Sequence, residues 1–493
     1  MAAADPILGF MNRMSNLGGV VVPDQPKLDL DLYLQNYVGT NCRALRACAS
    51  TCRLHAYVSP GRTRFDRLLL IGKSSVSLCV DALKAAVVEA KRGKDVSQYR
   101  ESWECLRLVA PAEPEAQRDD AWIERTESEN KMETSRLESE LKGYRNNLIK
   151  ESIRMGNEDL GKHFESIGKL TEASEAYTRM RQDVSTTKHI IDCGMHLANV
   201  SLHRRDFAMV LNNIAKINTV LQDDDDDDDE DKVLQAYTRI ASGIALLGLE
   251  RFEEAAKAFL SIDFGISPTE YNHIASPNDI AVYGGLLALA TMNRVELQQQ
   301  VLDNQLFRTF LEHEPRIRKA ISSFVNGRYS NCLSILEASR ADYLLDIYMQ
   351  SHVASIYSKI RSKCIVQYFV PFSCVTLKSL DAAFAQPGTS IEPELIEMIK
   401  SRALEARFDS KNKLLVAVRP HARAVMQKEA LQVAVKYERE ARERLRRISI
   451  VAAGLDVVGA RKDSGGGPAA GSSHDEAWYE DSRISSYREE MLT

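Results

Sequence analysis

One change of period constrains this chain more than any other feature. From residue 316 to about residue 370 the apolar positions recur at helical spacing: Ile317, Ile321 and Phe324, then Leu333, Ile335 and Leu336, then Leu344, Leu345, Ile347 and Tyr348. Two short helical pieces follow Pro371. The first, Leu377–Phe384, stops at Gln386-Pro387-Gly388, where Pro removes a backbone donor and Gly opens a turn. The second has Thr389 and Ser390 as N-cap candidates, carries Pro393 near its first turn and runs over 394–403. The period then drops to about two. Ala406 and Phe408 on one side, and Leu414, Val416 and Val418 on the other, flank the polar turn Asp409-Ser410-Lys411-Asn412. Helices followed by a hairpin is a winged-helix order. The strand over 414–418 is expected to be an exposed edge whose unpaired backbone groups would take a neighbour's strand.

A second pattern precedes it. Leu160-Gly161, Phe164, Gly168, Ala173, Tyr177 and Met180 fit the tetratricopeptide scheme, in which small residues sit where two helices cross and aromatic residues fill the gaps. The register returns at Leu197-Ala198, Ser201, Arg205, Val210, Ile214 and Ile217, and again at Gly243, Leu246, Glu250, Ala255, Phe259 and Ile262. A degenerate fourth copy is Ala320, Ser323, Gly327, Cys332 and Leu336. Four copies in series predict an α-solenoid. The fold class is therefore mostly α: a TPR-like solenoid, then a winged-helix subdomain, then a C-terminal helix.

The remaining segments divide as follows. Residues 1–28 are rich in Gly, Pro and Asn and read as loose; 29–119 form an N-terminal helical region, with pieces at 28–38, 42–57, 64–92 and 99–109. Residues 120–155 read as one long, charged connecting helix. The repeats occupy 156–345 and the winged-helix part 346–420. Within the repeats, Asp223 to Asp231 is an unbroken acidic run that opposes helix and is expected to be a solvated loop. A helix over 421–450 shows apolar or small residues at Ala424, Leu431, Ala434, Ala441, Leu445 and Ile448, a spacing suited to a helical bundle. Its other face is basic, with Lys436, Arg439, Arg442, Arg444, Arg446 and Arg447. The Gly- and Ser-rich tail 451–493 reads as disordered.

Composition excludes several functions. The net charge of -5 provides no general positive field for nucleic acid or membrane. No apolar run approaches the ~18 residues of a membrane span, and no signal-peptide pattern opens the chain. Nine scattered cysteines imply reduced thiols, hence cytoplasm and nucleus. Catalytic signals fail on inspection. Ile71-Gly72-Lys73-Ser74 imitates the end of a phosphate loop, but the required first glycine is Arg67. His189, Cys193, His196 and His203 lie near one helix face, where zinc is conceivable but structural packing is the simpler reading. Cys48, Cys52 and His55 lack a second ligand pair. There is no His-Glu-x-x-His and no nucleophile elbow. No cofactor, no metal and no catalytic residue is expected. The second winged-helix piece carries Glu392, Glu394 and Glu397, which would be repelled by phosphates, so it reads as a protein-docking rather than a DNA-reading element.

This layout resembles the PCI family, whose members build the proteasome lid, the COP9 signalosome and initiation factor three. The stretches Arg62-Thr63-Arg64-Phe65-Asp66-Arg67-Leu68, YRNNLIKESIRMGNEDLGKHF (144–164), RMRQDVSTTKHIIDCGMHLANVSL (179–202) and LEARFDSKNKLLVA (404–417) are similar to its signalosome branch. The resemblance covers roughly residues 28–450; the acidic run and the tail depart from it. It implies a scaffold without catalysis, in a complex that removes Nedd8 from cullins through a separate metalloprotease subunit. The implied partners are the other PCI subunits, that metalloprotease subunit and cullin–RING ligases, which the N-terminal arm would face. By position, Leu414, Leu415 and Val416 would make sheet-edge contacts, and Leu431, Ala434, Leu445 and Ile448 bundle contacts; packing in the chain's own core is the alternative for all seven. The alternative assignments are the related proteasome lid subunit and a winged-helix nucleic-acid regulator.

Overall fold

The computed structural model describes residues 4–24, 26–31, 33, 62–184, 186–223, 229–263, 271, 273–384, 390–418 and 422–454. It divides into two units, 1–418 and 419–493, each described by itself. The helical pieces expected at 42–57, with Cys48, Cys52 and His55, lie outside the described residues. So do most of the piece at 28–38 and all of the tail beyond 454.

The repeats are packed helical pairs: Lys150–Ser166 with Leu170–Met180, Thr187–His203 with Phe207–Asp223, Asp229–Gly248 with Phe252–Leu260, and Pro315–Val325 with Tyr329–Glu337. All four first helices end in the same turn. Gly168, Arg205, Glu250 and Gly327 have φ of 84, 59, 60 and 75°. Each turn closes two hydrogen bonds, as in Glu250 N–H to Leu247 O (3.0 Å) and Arg251 N–H to Leu246 O (2.9 Å), so carbonyls orphaned at the helix end are satisfied. Where the helices cross, the small residue is obligatory. A Cβ at Gly243 would stand 2.8 Å from Phe259 Cζ, and one at Gly161 would overlap the Tyr177 ring.

Helix Pro277–Thr291 runs through the middle of the core. Ser276 and Asp279 cap it reciprocally, and twelve successive residues from Asp279 to Ala290 are buried. The N-terminal helices Arg62–Ser74, Cys79–Arg92 and Val96–Val109 have their own apolar cluster, including Leu68, Leu83, Tyr99 and Trp103. A buried charge joins them to the repeats. Arg67 donates to both oxygens of Asp279 at 3.2 and 3.1 Å and lies 3.3 Å from Asp346, which also accepts from Tyr283. Burial pushes the Asp279 carboxyl up to about 6, with Arg67 pulling the other way.

The structure corrects several boundaries. The N-terminus is not loose throughout: Ala4–Asn16 is a helix that buries Phe10 and Met11 against the Leu68 cluster. The connecting helix over 120–155 is two. Asp120–Asn146 ends, Leu148 takes a φ of 56°, and Lys150–Ser166 starts afresh. The chain folds back there, so that Gly156 packs under Leu141 and Tyr144. The acidic run is not one loop either. Helix Phe207–Asp223 reaches its start and Asp229–Gly248 begins inside it; acidic residues are favourable in a first turn, where they meet the positive end of the helix dipole. Residues 224–228 lie outside the described residues.

The winged-helix part consists of helix Val353–Phe369, strand β1 (Cys374–Thr376), helices Leu377–Phe384 and Glu392–Lys400, and strands β2 (Ala406–Asp409) and β3 (Leu414–Ala417). The antiparallel sheet has the order β1-β3-β2. Arg361 ties it together, reaching Glu394 at 2.8 Å and the Phe384 carbonyl at 2.9 Å. In the second unit, one helix spans Ala422–Ala452.

Candidate protein-interaction surfaces

The expected edge strand is the central one. In β3, Leu414 pairs with both Thr376 and Asp409, Leu415 with Val375 and Phe408, and Val416 with Cys374 and Arg407. Its backbone groups are used on both sides, so Leu414, Leu415 and Val416 cannot receive a neighbour's strand by pairing. Leu415 is fully buried and belongs to the core, Leu414 is half-buried, and Val416 is exposed. The open edges are β1 and β2. The sequence reading missed β1 because three residues after a turn carry no readable period.

The terminal helix presents the other candidates. Leu431, Ala434, Leu445 and Ile448 are all exposed, and none is packed into a core. A continuous α-helix over 422–452 fixes which residues share a face, at roughly 100° per residue. Met426, Ala430, Val433, Ala434, Tyr437, Ala441, Leu445 and Ile448 fall in one stripe, interrupted by Arg423, Gln427 and Arg444. Leu431 sits roughly 100° away from Ile448 around the axis, at the margin. Tyr437 is 73% exposed and Leu445 63%. The large side chains Met426, Val433 and Tyr437 were missed, although their spacing of three to four residues carried the signal. The other faces bear Glu438–Arg442 and Glu443–Arg447 pairs at 2.6 and 2.7 Å. Each large side chain of such a stripe would contribute about 1.5–3 kcal/mol if it were buried.

The look-alike catalytic groups have structural roles. Ile71-Gly72-Lys73-Ser74 is the end of a helix, with Gly72 pressed on Leu83 and Lys73 paired with Glu101. Cys193 donates to the Tyr177 carbonyl at 3.3 Å, and His196 stacks on the Tyr177 ring at 4.5 Å. Burial lowers the His196 pKa and favours the neutral ring, although Glu158 stands 3.9 Å away. Among the described residues no cluster of His, Cys, Asp or Glu could hold a metal ion, and no helix is long and apolar enough to cross a membrane.

Helical repeats that run into a three-stranded winged helix define a PCI-type protein, and the family comparisons agree. The 26S proteasome subunit RPN7 model matches residues 119–300 and the PCI domain model residues 329–419. The chain is 53% identical over 405 residues to COP9 signalosome complex subunit 1 of Neurospora crassa, covering 82% of this chain and 91% of that protein. It is 43% identical over 464 residues to the Emericella nidulans protein of the same name, covering 92% and 88%. A 26S proteasome non-ATPase regulatory subunit 6 from Dictyostelium discoideum is 21% identical over 314 residues, covering 64% and 80%. The chain belongs to the COP9 signalosome subunit 1 family.

Proposed function

We propose that this chain is a non-catalytic scaffold subunit of a COP9 signalosome, the complex that removes Nedd8 from cullin–RING ligases, and that it works in cytoplasm and nucleus. One observation carries the reading: a 31-residue helix displays an apolar stripe whose described side chains are exposed. Docking through Ala434, Leu445 and Ile448 into a bundle of neighbouring subunits' helices would cover it. The open strands β1 and β2 offer a second contact to another PCI subunit. Bond cleavage is assigned to a separate metalloprotease subunit, in keeping with the packing roles of His196 and Cys193 here.

Family membership favours this reading over the proteasome lid. The acidic first turn of Glu392–Lys400, with Glu394 held by Arg361, weighs against DNA reading. Purification of the tagged chain from its own cells tests the proposal. Cullins and Nedd8 should accompany it; proteasome base subunits and ubiquitin receptors in their place would support the lid reading. Turnover of a Nedd8–cullin conjugate by the purified chain alone would show that it is an enzyme.

A further inference from the structure

A groove lies between helices Pro315–Val325 and Tyr329–Glu337. It is open, encloses about 430 Å³, and is lined by Arg318, Lys319 and Arg328 with no carboxylate among its residues. Several cations elsewhere on the repeats are neutralised locally: Arg251 by Glu254, Lys257 by Glu253 at 2.8 Å, and Arg154 by Glu151 and Glu158 at 2.7 Å. Even Arg316, at the start of the same helix, pairs with Asp342 at 2.8 Å. Among the described residues, Arg318, Lys319 and Arg328 make no ion pair. The wall between them is hydroxyl and amide. Asn326 donates to Ser322 at 3.3 Å and Asn331 to Ser323 at 3.1 Å, which orients these groups along the groove.

We propose that this groove binds a short acidic peptide segment of a partner protein. Three uncompensated cations beside neutral donors match carboxylates, which accept charge-assisted hydrogen bonds. Pro315 to Asn326 spans roughly 16 Å of helix, room for about five extended residues. No aromatic side chain lines the groove, so a nucleic-acid strand would find no base to stack on. The site uses no residue of the terminal helix or the sheet, so its failure and that of the scaffold reading are separable.

The test is fluorescence anisotropy of a labelled hexaglutamate peptide with the full chain. Binding should weaken with added salt, and the double variant Arg318→Glu/Arg328→Glu should weaken it by about tenfold or more, the loss of roughly 1.4 kcal/mol. Lys319→Gln, at an exposed position, should reduce it less, and serves if the double variant does not fold. Arg251→Glu should leave it unchanged. Equal affinity in wild type and the groove variants would overturn the proposal. So would tighter binding of a single-stranded hexanucleotide. If replacing Asp223 to Asp229 by serine tightened the peptide, the groove would belong to this chain's own acidic run, and assignment to a partner would fall.

Discussion

Two helices of this chain obey the same local rules and end in opposite environments. Pro277–Thr291 is apolar on every face and buried from Asp279 to Ala290. Ala422–Ala452 is twice as long, gathers most of its apolar side chains on one stripe, and buries none of its described side chains. A helix that is hydrophobic all round must sit inside a core, whereas one with a single stripe must lie against something. The first therefore stabilises this chain, and the second is the one proposed to meet another. The difference teaches that stability and assembly are coded separately here. Lesions in the repeats should lower the melting temperature, and lesions in the stripe should not.

The strongest break lies at the buried ion pair. Arg67→Met leaves Asp279 and Asp346 without their cation in the core, and about 3–5 kcal/mol of stability should be lost in denaturant unfolding. Gly243→Val drives side-chain atoms into Phe259, and the same measurement should show a loss of about 1–3 kcal/mol.

A pH scan sharpens the comparison further. Burial holds the folded-state pKa of His196 below its ordinary 6.5, so its contribution is complete above that pH and is lost as the pH falls. Between pH 7 and pH 5, wild type should therefore lose more stability than His196→Gln. Parallel curves would mean that folding leaves the pKa of the ring unshifted. The smallest effect is expected at Glu250, which is exposed and held at a φ of 60°. Glu250→Gly relieves the left-handed strain at the cost of unfolded-chain entropy, and should raise stability by about 0.5 kcal/mol.

Local signals were legible in the sequence and distant ones were not. The repeat register included Gly168, Arg205, Glu250 and Gly327, which the structure shows to be the turn residues, because a left-handed cap and a close helix crossing each leave a mark within a few residues. The hairpin was read from period two, but its neighbour β1 was not, and an apparent edge became a centre. The N-terminal helix was overlooked although Ile7, Phe10, Met11 and Met14 follow the amphipathic spacing; Gly and Pro around them outweighed it. Arg67 and Asp279, 212 positions apart, had no local trace of their pairing. On the terminal helix the reading found Leu445 and Ile448 but tracked a drifting seam to Leu431, because the exact face emerges only once the helix is known to be continuous.

The central claim is that the exposed stripe exists for partners. Native mass spectrometry of complexes purified from cells through tagged wild type and Tyr437→Asp/Leu445→Asp tests it directly, with a melting curve of each isolated chain as control. The account predicts an unchanged melting temperature and loss of the multi-subunit mass in the variant. A variant that retains the full complex would contradict it.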